Sequence, residues 1–481
     1  MTDNHNLLYI DGEWGAPSST RRLEVVNADT EEVLGSVPEG QQADIDRAVA
    51  AARRAIDSPT GWAHGEPHAR AEVMRRLADA LDKRKTAITR LVSSENGMPI
   101  ALSENLEGTV PGLLLRYYAD LICDAVVEEH RDGLLGRPVT VRREPIGVVA
   151  AIVPWNAPQT LASLKYAPAL AAGATVVIKP SPETALDAVL LGEAVAEAGV
   201  PDGVINIVPA GREVGAYLVA HPGIDKVAFT GSTAAGRKVG EVCGRLLRPV
   251  TLELGGKSAA IVLEDAELSV ELMRDEFFAA TMMNNGQACF ASTRVLAPRS
   301  RYGEVVDAVV ALAESLEVGD PLDAATMVGP LASAVQRERV EGYIAQGTAG
   351  GARLVAGGGR PAHRERGWYV EPTVFADVDN AQVIAQEEIF GPVLVITPYE
   401  DEDDAIRLAN DSDFGLGGSV WTQDTDHGLQ IARQVRTGSF GINHYMSDPI
   451  APFGGVKASG IGREFGPEGL ASYQQLKSIY F

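Results

Sequence analysis

The spacing of apolar residues changes several times along the chain, and each change predicts a different layer of structure. Residues 7–36 hold short extended pieces, Leu8-Tyr9-Ile10 and Leu23-Glu24-Val25-Val26, split by turns such as Asp11-Gly12. They read as an N-terminal meander packed on a larger body. From Asp44 the period becomes helical, with Ile45, Ala48, Val49, Ala52 and Ile56 on one face. Helices continue to about Asp124, the clearest carrying Val73, Leu77, Ala80 and Leu81. Arg137 to Glu144 alternates polar and apolar residues through Val139 and Val141, the pattern of a half-exposed strand or surface hairpin. The run from Ile146 to Val153 is continuously apolar apart from Gly147, as a buried strand requires.

Beyond it, strands alternate with helical segments: Ala174 to Ile178, Val204 to Val208, Lys226 to Phe229 and Val250 to Glu253. Short β-rich runs separated by helices predict an α/β fold with a doubly wound parallel sheet, which binds ligands beyond the carboxyl ends of its strands. The alternation resumes after Cys289 and lasts to about Leu429, predicting a second α/β domain.

Composition narrows the function classes. At 481 residues the chain has room for two or three domains, and its formal charge of −23 argues against a nucleic-acid partner or an anionic membrane surface. No basic-then-apolar N-terminal run reads as a secretory signal, and the longest apolar stretch, near Ile146 to Trp155, is too short to span a bilayer and contains Pro154. A cytoplasmic location is the expectation. Cys123, Cys243 and Cys289 are too scattered for a disulfide framework or a zinc site, and the close pair His64 and His68 brackets Gly65 and Pro67, so no metal site is predicted.

The chemistry-bearing peptides fall at predicted strand ends. Pro154-Trp155-Asn156 offers a side-chain amide able to donate to an anionic oxygen. Lys179-Pro180-Ser181-Pro182-Glu183 offers a lysine for ribose hydroxyls or a 2′-phosphate. Phe229-Thr230-Gly231-Ser232-Thr233-Ala234-Ala235-Gly236 runs from a strand through small residues into a helix, as a phosphate turn does, without the Gly-x-Gly-x-x-Gly spacing of common dinucleotide folds. Glu253-Leu254-Gly255-Gly256-Lys257-Ser258 pairs a carboxylate with glycines that permit close packing. Asn285-Gly286-Gln287-Ala288-Cys289 sets a thiol among small residues, where a ligand can approach its sulfur. Taken singly, each has a bland reading: a turn asparagine, a solvated lysine, a capping or salt-bridging glutamate, a small buried cysteine.

Together, and in this order, they resemble the signatures of the aldehyde dehydrogenase superfamily. Glu387-Glu388-Ile389-Phe390-Gly391-Pro392 and Pro452-Phe453-Gly454-Gly455 are also similar to the family's peptides, and the likeness spans essentially the whole chain. The resemblance implies a cofactor domain from residues 1–124 and 146–255, a catalytic domain from 256–440, and an oligomerisation arm from 125–145 and 466–481, in a homodimer or homotetramer. It implies a small-molecule aldehyde as substrate and NAD as cofactor, with NADP as the alternative because Pro182 stands where many NAD-preferring members carry glutamate; Glu183 is expected to reach the ribose from its shifted position.

In the roles it implies, Cys289 is the nucleophile, Asn156 the oxyanion donor, Glu253 the base for water, and Lys165 a proton relay. Trp155, Lys179, Glu183, Gly231, Ser232, Gly255, Glu388 and Phe390 would contact the cofactor. Ala157, Leu161, Leu164, Met283, Phe290 and Phe453 would line the substrate tunnel. The family often places an aromatic after the asparagine where this chain has Ala157, so a medium to large apolar aldehyde is expected. Two other readings are a coenzyme A-acylating relative, against which Glu253 argues, and a non-catalytic binding protein on the same fold.

Overall fold

A computed structural model describes residues 3–481. Its centre is the strand Val148–Ile152, buried at every position. Thr175–Lys179 lies parallel to it on one side and Lys226–Thr230 on the other. Ile205–Ile207 and Val250–Glu253 extend the sheet outward in parallel, completing the predicted doubly wound core. Because successive strands depart in opposite directions from Val148–Ile152, a crevice opens where the chain leaves this strand and Lys226–Thr230, the place where such sheets bind ligands. Pro154-Trp155-Asn156 and Thr230-Gly231-Ser232 occupy it.

The helix Pro158–Ala172 begins with proline at its first position, where no N–H is needed, and ends at left-handed Gly173. Nearly all of its residues are buried, so it shows no polar stripe; it packs among Pro67–Asp82, Val110–Cys123 and the sheet.

A second sheet runs in the order Arg353–Ala356, Thr373–Ala376, Val393–Tyr399, Arg294–Pro298, Ala259–Val262, Gly418–Trp421 and Gly441–Ile442, parallel except for its first strand. Only residues 254–258 separate Val250–Glu253 of the first sheet from Ala259–Val262 of the second. Glu253 therefore stands at the seam between the two.

Three features differ from the periodicity reading. The N-terminal pieces are not one meander: Leu8–Ile10 and Glu13–Gly15 extend the large sheet as antiparallel edge strands, whereas Arg22–Val26 and Val33–Pro38 form a separate ribbon. The strand Val139–Pro145 is the middle of a three-stranded sheet, paired with Glu128–Arg131 and with Gln474–Tyr480 along its full length, and both Thr140 and Val141 are buried. Finally, Gly460–Ile461 returns to pair antiparallel with Leu252 and Glu253, bringing the C-terminal peptide into the seam. Gly466–Ala471 forms a helix before the arm strand begins at Gln474. No described helix is long and apolar enough to cross a membrane.

Candidate active site

The loop that presents Cys289 is fixed by amide side chains. Asn284 and Asn285 both adopt positive φ, a conformation asparagine tolerates better than most residues. Asn285 donates to the carbonyls of Gly97 (2.8 Å) and Pro330 (2.9 Å) and accepts from the Gly329 N–H (2.7 Å). Asn284 donates to the carbonyl of Asn156 (2.9 Å), and Gln287 accepts from the Ala332 N–H (3.0 Å). The Asn156 amide gives one N–H to the Gln287 carbonyl (2.9 Å), which leaves its second N–H for an anionic oxygen. Glycines let the neighbouring peptides close up: a Cβ on Gly256 would lie 2.5 Å from the Cys289 carbonyl, and one on Gly454 would lie 2.6 Å from Glu253 Oε1.

Cys289, Glu253, Asn156 and Thr230 line one cleft of about 230 Å³ together with Trp155, Gly231, Ser232, Gly255, Glu388 and Phe390. The fold thus brings five separate stretches of the sequence to one cleft. Glu253 is 3 % exposed and neither carboxylate oxygen has a hydrogen-bond partner. Burial, then the charge of Glu464, holds its carboxyl well above the usual range, with Lys165 and Arg463 opposing. A buried carboxylate without a protein partner and with raised proton affinity has the character of a general base. Burial also pushes the Cys289 thiol up, helped by Glu388 and Glu253, so the sulfur rests protonated.

On the cofactor side, Glu388 accepts from the Gly256 N–H (3.1 Å) and is pushed up to about 7 by burial. Any side chain at Gly255 would meet it, since a Cβ there would lie 2.3 Å from Glu388 Oε2. Phe390 packs edge-on against Trp155, ring centroids 5.4 Å apart. Ser232 caps the helix Thr233–Arg245, accepting from the Ala235 N–H at 3.3 Å, so the positive end of that helix faces the cleft. Lys179 and Glu183 lie outside the lining of this cleft. The Lys179 ammonium is 6 % exposed and is held by the carbonyls of Pro180 (2.8 Å) and Ala210 (2.9 Å). Burial pushes it down to about 8, with Glu183 opposing. The Glu183 carboxylate accepts from the Ser181 hydroxyl.

The other side of Cys289 is apolar. Cys289, Phe290 and Leu161 pack against a core cluster that contains Leu164, Phe453 and Phe465. Leu164 is buried within it, and Ala157, 9 % exposed, starts the helix that carries both leucines. Met283 is buried as well. Phe290 stands edge-on to Tyr445 (5.4 Å) and to Phe453 (6.3 Å), which stands edge-on to Phe465 (6.3 Å).

Tyr445 and Phe465 carry no sequence signal of this role. Neither does Glu464, which accepts from Lys165 Nζ at 2.8 Å while Thr230 Oγ1 accepts from it at 2.6 Å. Only the fold brings Glu464 to Lys165. A shallower depression of about 480 Å³, formed by residues 17–22 and Pro38, is lined by no cysteine, histidine or carboxylate.

The aldehyde dehydrogenase family's sequence pattern matches residues 14–479. Geranial dehydrogenase from Castellaniella defragrans is 57 % identical over 100 % of this chain and 99 % of its own length. The crystal structure of Mycobacterium tuberculosis aldehyde dehydrogenase complexed with NAD+ superposes with a TM-score of 0.96 at 49 % identity, covering 99 % of this chain and 98 % of that one. A mutant aldehyde dehydrogenase from Pseudomonas syringae, complexed with NAD+ and octanal, superposes with a TM-score of 0.95 at 40 % identity, covering 100 % of this chain and 97 % of that one.

Proposed function

Because the chain belongs to the aldehyde dehydrogenase family, we propose that it oxidises a medium to large apolar aldehyde to the carboxylic acid with NAD, using Cys289 as nucleophile. The observation that carries this reading is the two-sidedness of Cys289: one side opens on a polar cleft that reaches a helix N-terminus, and the other packs against leucine and aromatic side chains. The cleft suits a dinucleotide. It has a positive helix end for phosphates, a carboxylate at Glu388 for ribose hydroxyls, and the Trp155–Phe390 ring pair near the thiol. When bound, NAD supplies the hydride acceptor.

The chain's own residues supply the rest. The Cys289 sulfur, once its proton passes to a carboxylate of the site, attacks the aldehyde carbon. The resulting oxyanion takes the free Asn156 N–H and the Cys289 backbone N–H. Oxidation at that carbon leaves a thioester on Cys289. Glu253, buried and without a partner, takes the proton of the water that adds to the thioester. Lys165, bonded to Thr230 and Glu464, is the route by which that proton leaves the seam.

Ala157 supports a roomy substrate wall, as does the likeness to geranial dehydrogenase. Pairing of Lys179 with backbone carbonyls, and Glu183 beside it, supports NAD over NADP. The test is kcat/KM for NADH formation across aldehydes from acetaldehyde to octanal. Each buried methylene contributes at most about 0.8 kcal/mol, so kcat/KM should rise up to a few-fold per carbon until product release limits it. Ala157→Phe should flatten the rise and Cys289→Ala should abolish turnover. Acetaldehyde or a dicarboxylic semialdehyde as best substrate would overturn the apolar reading; a coenzyme A requirement would overturn hydrolysis.

A further inference from the structure

The peptide that carries Glu253 continues into Lys257 and Ser258, which take no part in the chemistry above. Lys257 is 2 % exposed, Ser258 4 %, and Arg294, from the start of the neighbouring strand, 1 %. All three line a small pocket walled by Phe414, Val435 and Thr437, with a volume of about 10 Å³. Such a volume holds about one water or a monatomic ion.

The polar atoms around this cavity are unmatched. Lys257 Nζ, Arg294 Nε and Ser258 Oγ have no hydrogen-bond partner. The terminal nitrogens of Arg294 are already engaged, donating to Asn380 Oδ1 (2.6 Å) and to the carbonyls of Leu408 (2.7 Å) and Ala409 (2.9 Å). Lys257 and Arg294 make no ion pair with any described carboxylate within salt-bridge distance. Two buried cations thus share one small pocket without a contact ion pair, Glu388 and Asp411 acting on them only from beyond salt-bridge distance, and buried charges left without a close partner are costly. Burial and the charge of Arg294 push the Lys257 ammonium down to about 7, with Glu388 opposing.

We infer that this cavity is a binding site for one halide ion, chloride in ordinary salt, held by Lys257 Nζ, Arg294 Nε and Ser258 Oγ. A water molecule would satisfy some of these donors but would not neutralise two like charges. A carboxylate or phosphate needs several times the room. The ion would sit directly behind the catalytic seam. Gly256, the residue before Lys257, holds Glu388 through its N–H and lies against the Cys289 carbonyl. A halide that keeps Lys257 charged would also favour the carboxylate form of Glu388, since the Lys257 charge pulls that carboxyl down.

The site does not depend on which aldehyde is the substrate, and its test reads occupancy rather than turnover. Crystals of the wild-type protein grown without chloride and soaked in sodium bromide should show an anomalous bromine peak between Lys257 Nζ and Arg294 Nε. In solution, sodium bromide should raise Tm by about 2 °C over sodium gluconate at equal ionic strength, and Lys257→Met should lose that difference. A cavity holding only water in the bromide maps overturns the inference, whether or not the variant folds. So does a folded Lys257→Met variant whose Tm responds to bromide as the wild type does.

Discussion

Lys165 and Glu464 lie 299 positions apart, yet meet at 2.8 Å with almost no exposure on either side. Removing one member of a buried ion pair leaves the other uncompensated, at about 3–5 kcal/mol. Lys165→Met should therefore lower the denaturation midpoint sharply, and adding Glu464→Gln should restore most of the loss. Simply additive losses in denaturant melts would mean that the two are not coupled. Glu388 makes a pH-dependent case. With its carboxyl pushed up to about 7, it is neutral at pH 6 and charged at pH 8. The native state keeps this proton in a window where the unfolded chain has released it, so the group's contribution to stability falls as pH rises toward 7. Its capacity to accept from ribose hydroxyls rises over the same window. KM for NAD should thus drop several-fold from pH 6 to pH 8, and Glu388→Gln should flatten that drop; an unchanged profile in the variant would remove Glu388 from the cofactor site. At this scale the meeting of Glu253, Cys289, Asn156 and Glu388 in one cleft was legible only through the family resemblance of their peptides taken together, since each peptide alone has a bland reading. Glu464, Asn284 and Asn285 were not, because what defines them is a partner distant in sequence.

Among the elements, those set by local periodicity were readable: the helix Gln42–Asp57 and the five parallel strands of the first sheet follow their apolar spacing closely. Pieces that owe their form to a distant strand were not. Gly460–Ile461 is two residues long and exists as a strand only because Leu252 and Glu253 lie beside it. Val139–Pro145 alternates as a half-exposed strand does, but its place in the middle of a sheet depends on Gln474–Tyr480, far away in sequence. That three-stranded arm leaves Leu476 (68 % exposed), Tyr480 and Phe481 uncovered, and Leu134 and Leu135 stand bare in the loop between its first two strands. Exposed apolar residues of this kind are common at association surfaces, and we propose that this arm carries one. Leu476→Lys combined with Tyr480→Lys should therefore shift the protein to a smaller species in sedimentation velocity without unfolding it. An unchanged sedimentation coefficient would place the self-association surface elsewhere, or show that there is none.

For the molecule as a whole, the two sheets matter less as separate domains than for the seam between them. There, residues 254–258 and the returning C-terminal peptide bring Glu253, Cys289 and Glu388 to one cleft. Around that cleft the chain carries a formal charge of −23, and the proposed cofactor is itself an anion. The far field should therefore repel NAD, and only the near field of the helix N-terminus at Ser232, with Arg339 in the cleft lining, should attract it. The two fields differ in reach. At about 10 mM salt the screening length is about 30 Å, whereas at about 150 mM it is about 8 Å, so that only groups close to the ligand still act on it. Raising salt should thus remove the repulsion first and leave most of the attraction. The association rate of NAD, followed by stopped-flow quenching of tryptophan fluorescence with sodium gluconate as the salt, should increase about two- to five-fold over that range. The rate for an uncharged aldehyde should stay flat. A rate for NAD that falls with salt would show that the positive groups at the cleft outweigh the net charge even at long range, and that cofactor capture is steered rather than opposed by this molecule's field.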